Sequence, residues 1–236
     1  MKKIVAFIVV IFFACSAIAQ KQIFTIQLHH KVGKENLSLL DKTYFNAFNE
    51  PFTVQKFRYY ISNIILIDDE QKRYNFSEQY FLIDEADSAT KIIQLQTNIQ
   101  HVRQIQFLLG VDSIKNVSGV QEGALDPMKG MFWTWKSGYI FAKLEGQSDS
   151  SHLPSHYFTY HIGGINQNEN ALRVVQLNIP VTYNQSKKII HIDANILQWF
   201  SSVHSIKIAS TGYCHQPGAL AVAIADNYSK MFSISK

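Results

Sequence analysis

The sequence predicts an all-β protein, a single β-sandwich of about ten antiparallel strands with a long Gly-rich loop and a short C-terminal helix. Three observations predict it. Segments of five to twelve residues alternate apolar and polar side chains, the period that buries one face of a strand. Polar turn residues separate these segments, and no long helical period interrupts them before the C-terminus. The chain has 236 residues, 47% hydrophobic and 17% charged, enough apolar material for one sizeable core and too little charge for disorder.

The N-terminus reads as a secretory signal over residues 1–19. Lys2 and Lys3 precede an apolar run from Ile4 to Ala14, and Ala17 and Ala19 supply the small residues a signal peptidase requires. That run is too short to span a bilayer, so the mature chain, residues 20–236, is expected to lack a transmembrane segment and to be periplasmic or on the outer surface. Cys15 is the alternative processing site, through which a lipid anchor would be attached. Cleavage after Ala19 leaves Cys214 as the one cysteine, so the fold has no internal disulfide to rely on.

In the segment "IFTIQLHHKVG", Phe24, Ile26, Leu28 and His30 share one strand face, and Thr25, Gln27 and His29 share the other. "FTVQKFRYYISNIILIDDEQKRYNF" reads as a hairpin whose turn is "DDEQKR". The strand pattern continues through "YFLID", "KIIQLQ", "HVRQIQFLLGV", "SGYIFAKLEG", "YFTYHIGG", "LRVVQLNIPVTY", "KKIIHID" and "HSIKIAS". Residues 110–130 break the rhythm with Gly110, Gly119, Gly123, Gly130 and Pro127, and long loops inside compact β domains are usually functional. Helical spacing returns at 194–200. It returns again after Pro217 and Gly218, where Leu220, Ile224, Tyr228, Met231 and Phe232 form one stripe.

The chemistry is narrowed first by what is missing. The net charge of +4 is spread without a basic cluster, which argues against nucleic acid. The chain has no GxSxG, CxxC, HExxH, P-loop or post-strand GxGxxG. Histidine is the remaining ligand type. His30 lies on an apolar strand face and His161 ends "FTYH" before Gly163 and Gly164; each is individually more often a satisfied core residue than a ligand. Two imidazoles and a third nitrogen would suit Cu(I) or Zn(II). Trp133 and Trp135 flank Thr134 and share one face if the segment is extended. Indole has no lone pair for a metal, so either Trp could ligate only after oxidative opening to an aromatic amine. Asp112, Ser113, Asn116 and Asp126 could offer oxygen to Ca²⁺, although turn capping is the commoner use of such residues. Cys214–His215 is a lesser soft-metal candidate, and an Asp112–His161 pair is the one enzymatic arrangement considered.

The segments "RYYISNIILI", "GVDSIKNVSG", "GALDPMKGMFWTWKSGYIFAKLEG", "YHIGG" and "CHQPGALAVAIADNYSKMF" together resemble the MbnP-like family of exported copper-binding proteins. The resemblance spans essentially the whole mature chain. It implies an exported, noncatalytic β-sandwich that handles copper as Cu(I). It also implies that a Trp oxidised to kynurenine joins two histidines, the oxidation being done by a diheme cytochrome c peroxidase-like partner. Carried onto this chain, Trp133 or Trp135 is the kynurenine precursor, with Trp135 preferred, and His161 and His30 are the histidines. The competing expectation is a cell-surface recognition module in which Trp133, Trp135 and Tyr139 stack on a glycan or peptide, with Ca²⁺ shaping the 110–130 loop.

Overall fold

The computed structural model describes residues 21–134 and 138–235. The signal segment, Cys15 and Trp135 lie outside the described residues. The chain runs through β1 (Gln22–Val32), β2 (Glu35–Asn36), β3 (Tyr44–Phe45), the long β4 (Pro51–Asp68), β5 (Arg73–Asp84), β6 (Ile92–Thr97) and β7 (Val102–Leu109). After helix α1 (Ser113–Val117) come β8 (Phe132–Thr134), β9 (Gly138–Tyr139), β10 (Ala142–Gln147), β11 (Tyr157–Ile162), β12 (Arg173–Asn178) and β13 (Ile189–Asn195). The last elements are α2 (Ile208–Thr211), β14 (Tyr213–Cys214), α3 (Ala219–Tyr228) and β15 (Phe232–Ile234).

These strands form the expected all-β sandwich. A smaller sheet has the order β15-β13-β1-β2, with β6 also on β1; the larger has the order β12-β7-β4-β10-β11-β14, with β3 and β5 also on β4. The core lies between them. Phe24, Ile26 and Leu28 of β1 and Ile190 and Ile192 of β13 are buried on one side. Phe57 and Tyr59 of β4, Leu144 of β10 and Tyr160 of β11 are buried on the other. Phe232 of β15 meets Tyr59 and Phe107 edge-on, at 5.7 and 5.1 Å between ring centres, which ties the two sheets together.

The long hairpin forms as its alternation predicts, β4 against β5 with the turn at residues 69–72. Two pairings are parallel, β1 with β13 and β11 with β14. The segment "HSIKIAS" is not a strand. The buried Glu50 carboxylate accepts the backbone N–H groups of Ile208 and Ala209, and these free donors start the helical turn α2. The C-terminal stripe is helical only to Tyr228, and Phe232 belongs to β15. The 110–130 segment is ordered by its own caps. Asp112 accepts from Ile114 N and Lys115 N to start α1, and Asp126 accepts from Met128 N.

Candidate metal centre

Register places the centre. Arg58 of β4 lies beside Lys143 of β10, which lies beside His161 of β11; one step along, Lys56, Glu145 and Thr159 form the parallel row. Facing residues in an antiparallel ladder point to the same side, so these six project from the outer face of the larger sheet. Their neighbours Phe57, Leu144 and Tyr160 point into the core.

On this outer face His161 Nε2 lies 2.7 Å from Glu145 Oε1. A carboxylate only accepts, so the Nε2 proton donates to Glu145 and the lone pair is left on Nδ1. Glu145 is fixed in turn by Lys56 Nζ at 3.0 Å. The His161 hydrogen bond, reinforced by Lys56, holds the Glu145 carboxyl down at about 2, so it is ionised at neutral pH. Burial lowers the His161 pKa below its ordinary value, so the imidazole is neutral at pH 7.

His215, just after β14, stacks on His161 with ring centres 3.8 Å apart and planes within 9°. Its Nε2 lies 2.7 Å from Thr159 Oγ1. Burial first, then the adjacent His161, push its pKa down to about 4. Two neutral imidazoles therefore sit side by side at neutral pH. Because their planes are parallel, their in-plane lone pairs do not yet converge on one point. Among the described residues no group of three or more His, Cys, Asp or Glu side chains forms a ready metal site. A third donor would have to be of another type.

Trp133, in the β8–β9 ribbon, packs against Gly163, which directly follows β11. A Cβ built on Gly163 would lie 2.9 Å from the Trp133 ring and 2.4 Å from Tyr139 O, so the absence of a side chain at 163 is what seats the indole. Gly163 is two positions past His161, just beyond the end of β11. The Trp133 Nε1 donor is buried with no hydrogen-bond partner among the described residues, as is that of Trp199 in the core, two exceptions to the rule that buried polar atoms are satisfied. Gly163→Ala is expected to displace this ring and lower stability by about 1–3 kcal/mol. An unchanged urea midpoint would show that the seat is not as tight as the geometry requires.

His30 is placed elsewhere. It is 4% exposed and lies between the sheets. Its Nδ1 is 2.6 Å from Glu85 Oε2 and its Nε2 is 2.8 Å from Tyr59 Oη. With Nδ1–H donating to the carboxylate and Nε2 accepting from the phenol, both nitrogens are committed. Tyr59 points inward while His161 projects outward from the same sheet, so the structure does not bring His30 and His161 together. The apolar strand face of His30 is the position of a core histidine with buried partners, and the ligand role that the family resemblance implies for it is not one the structure assembles with His161.

Nor are the other candidates assembled as ligands. Asp112 caps α1 and accepts from Asn63 Nδ2 at 3.2 Å and from Tyr80 Oη, while His161 is bonded to Glu145, so no Asp112–His161 pair forms. Asn116 Oδ1 accepts from Tyr139 N at 2.8 Å, and with Asp126 capping a turn the proposed calcium oxygens serve as loop anchors. Tyr139 is 1% exposed and donates to Leu125 O, so it offers no face to a sugar or peptide. Cys214 is buried, and burial pushes its thiol up to about 11. Glu145 escaped the sequence reading because it comes from the strand next to His161, and only the β10–β11 register joins them. The signal available was the polar alternation Lys143, Glu145 within "FAKLEG".

Burial lowers the pKa of His29, His30, His161 and His215 alike. In the unfolded chain each would titrate near 6.5. A depressed histidine pKa means the unfolded state binds more protons below that value, so stability falls as pH drops from about 6.5 through the folded values. The metal-free protein is expected to show a lower urea midpoint at pH 5 than at pH 7.5. A flat or rising midpoint over that range would contradict these burials.

The fold and this face define a class: an all-β sandwich that carries, on the outside of its larger sheet, two stacked histidines of which His161 is backed by a carboxylate. The chain belongs to the MbnP family, whose profile matches residues 21–216. Its fold is similar to that of MbnP from Methylosinus trichosporium, with a TM-score of 0.64 over 91% of this chain and 98% of that one. The sequence identity is 14%, so this likeness is one of fold. No curated protein matches the sequence. No helix of the described residues is long and apolar enough to cross a membrane.

Proposed function

We propose that this is an exported copper-binding protein that holds Cu(I) on the outer face of its larger sheet, for scavenging, storage or delivery. The observation that carries the reading is the Glu145–His161 hydrogen bond. A carboxylate behind the distal N–H of an imidazole is the usual support of a ligating histidine, fixing its tautomer and raising its basicity. His161 would ligate through Nδ1, and His215 supplies the second neutral imidazole in place of His30. Nitrogen donors of this softness suit Cu(I).

The third donor fits an oxidised tryptophan. Indole cannot ligate, but kynurenine carries an aromatic amine, and the sequence resemblance makes Trp133 or Trp135 its precursor. Trp133, seated against Gly163 just past β11, is the described member of that pair. A diheme cytochrome c peroxidase-like partner would carry out the oxidation, and the mature chain would reside in the periplasm or on the outer surface. The test is a Cu(I) titration of residues 20–236 against a competing chelator, with and without co-production of such a partner. Tight one-to-one binding in either form supports the proposal. Failure of both forms to compete would end it.

A further inference from the structure

On the opposite side of the molecule, the outer face of the smaller sheet carries a second histidine pair. His29 Nε2 and His191 Nδ1 are 2.9 Å apart, with ring centres at 5.2 Å. The residues come from adjacent parallel strands. β1 places Gln27 beside His191 and His29 beside Asp193, so His29, His191 and Asp193 all face outward while His30, Ile190 and Ile192 face the core. The pair opens into a cleft of about 1090 Å³, walled by Pro180–Asn184 and by Ser233–Ser235. Tyr183 Oη accepts the His191 backbone N–H at 2.9 Å, and Ser235 Oγ donates to Asp193 Oδ1 at 2.7 Å, which fixes both the wall and the carboxylate.

We infer that His29 and His191 form a second, bidentate metal site, separate from the His161 centre, that takes a divalent cation of borderline softness such as Zn²⁺. Two imidazole nitrogens bound at about 2.0–2.1 Å to one ion lie roughly 2.9–3.4 Å apart, depending on the angle between the bonds. The observed separation is already in that range; ligation requires the proton between the two nitrogens to move to the far nitrogen of its own ring, and both rings to turn so that their lone pairs meet at the ion. Asp193, beside His29 in register, adds negative charge next to the incoming cation. The cleft leaves the remaining coordination positions to water or an outside ligand.

The probe is Zn²⁺ alone, titrated by calorimetry into residues 20–236 and into His29→Ala, His191→Ala, the double variant and His161→Ala. Both histidines lie on a solvent-facing surface, so the alanine variants are expected to keep the wild-type thermal midpoint to within a few degrees. Each single variant should bind this Zn²⁺ at least tenfold more weakly. The double variant should be little worse than either single one, because removing one arm already destroys a two-arm site. His161→Ala should retain the event. Wild-type zinc affinity in His29→Ala or in His191→Ala would overturn the inference. So would loss of all zinc binding in His161→Ala, which would assign the ion to the other face.

Discussion

His161→Ala is expected to weaken Cu(I) binding at least 100-fold, about 2.7 kcal/mol, while leaving the fold intact. His161 lies on the outer face and makes its charged hydrogen bond to a Glu145 that Lys56 also holds, so its removal opens no core cavity and strands no fully buried charge. The metal, by contrast, would lose the one imidazole whose tautomer is fixed for ligation. Glu145→Gln refines the expectation. The amide oxygen can still accept from Nε2–H but lacks the charge that strengthens the ligand, so a loss of roughly 10–100-fold is expected. A competitive chelator titration measures both. Wild-type affinity in His161→Ala would remove the ligand role. A Glu145→Gln effect as large as that of His161→Ala would make the carboxylate a ligand itself.

His30→Ala is expected to act on stability instead. The ring bridges the sheets, accepting from Tyr59 Oη and donating to Glu85, and it packs edge-on against Phe57 at 4.7 Å between ring centres. Its loss leaves the buried Tyr59 hydroxyl unsatisfied and Glu85 with only Lys91, at 2.9 Å, as a charged partner. Removing one member of such a buried network costs about 3–5 kcal/mol, a large share of a total stability of roughly 5–15 kcal/mol. Urea unfolding reads the loss, and copper affinity measured at a urea-free temperature where the variant is folded should match the wild type. A stable His30→Ala protein that no longer binds copper would restore His30 as a ligand.

The contrast between these two histidines shows what could be read without coordinates. Period-two alternation identifies a strand face, and it correctly assigned Phe24, Ile26, Leu28 and His30 to the core side of β1. It cannot say whether a histidine on that side meets a metal or a phenol and a carboxylate, because Tyr59 and Glu85 come from segments 29 and 55 residues away. Polar alternation likewise put Lys143 and Glu145 on one face of β10, but only the pairing with β11 brings Glu145 to His161. His215 reaches His161 through the parallel β11–β14 contact, a pairing with no local signature. The long loop was recognisable by its glycines, whereas its work in anchoring Asn116 to Tyr139 and Lys143 to Gly130 O is a product of the closed fold. The strand misassigned at α2 was decided by Glu50, 158 residues earlier in the chain.

The position of copper itself bears most directly on the account. Crystals of the chain loaded with one equivalent of Cu(I), taken through the copper absorption edge, would give an anomalous peak locating the ion. Copper at the proposed centre gives a single peak at bonding distance from His161 Nδ1, on the outer face of the larger sheet beside His215. A peak between the sheets at His30, or one on the outer face with His161 still free, would contradict it.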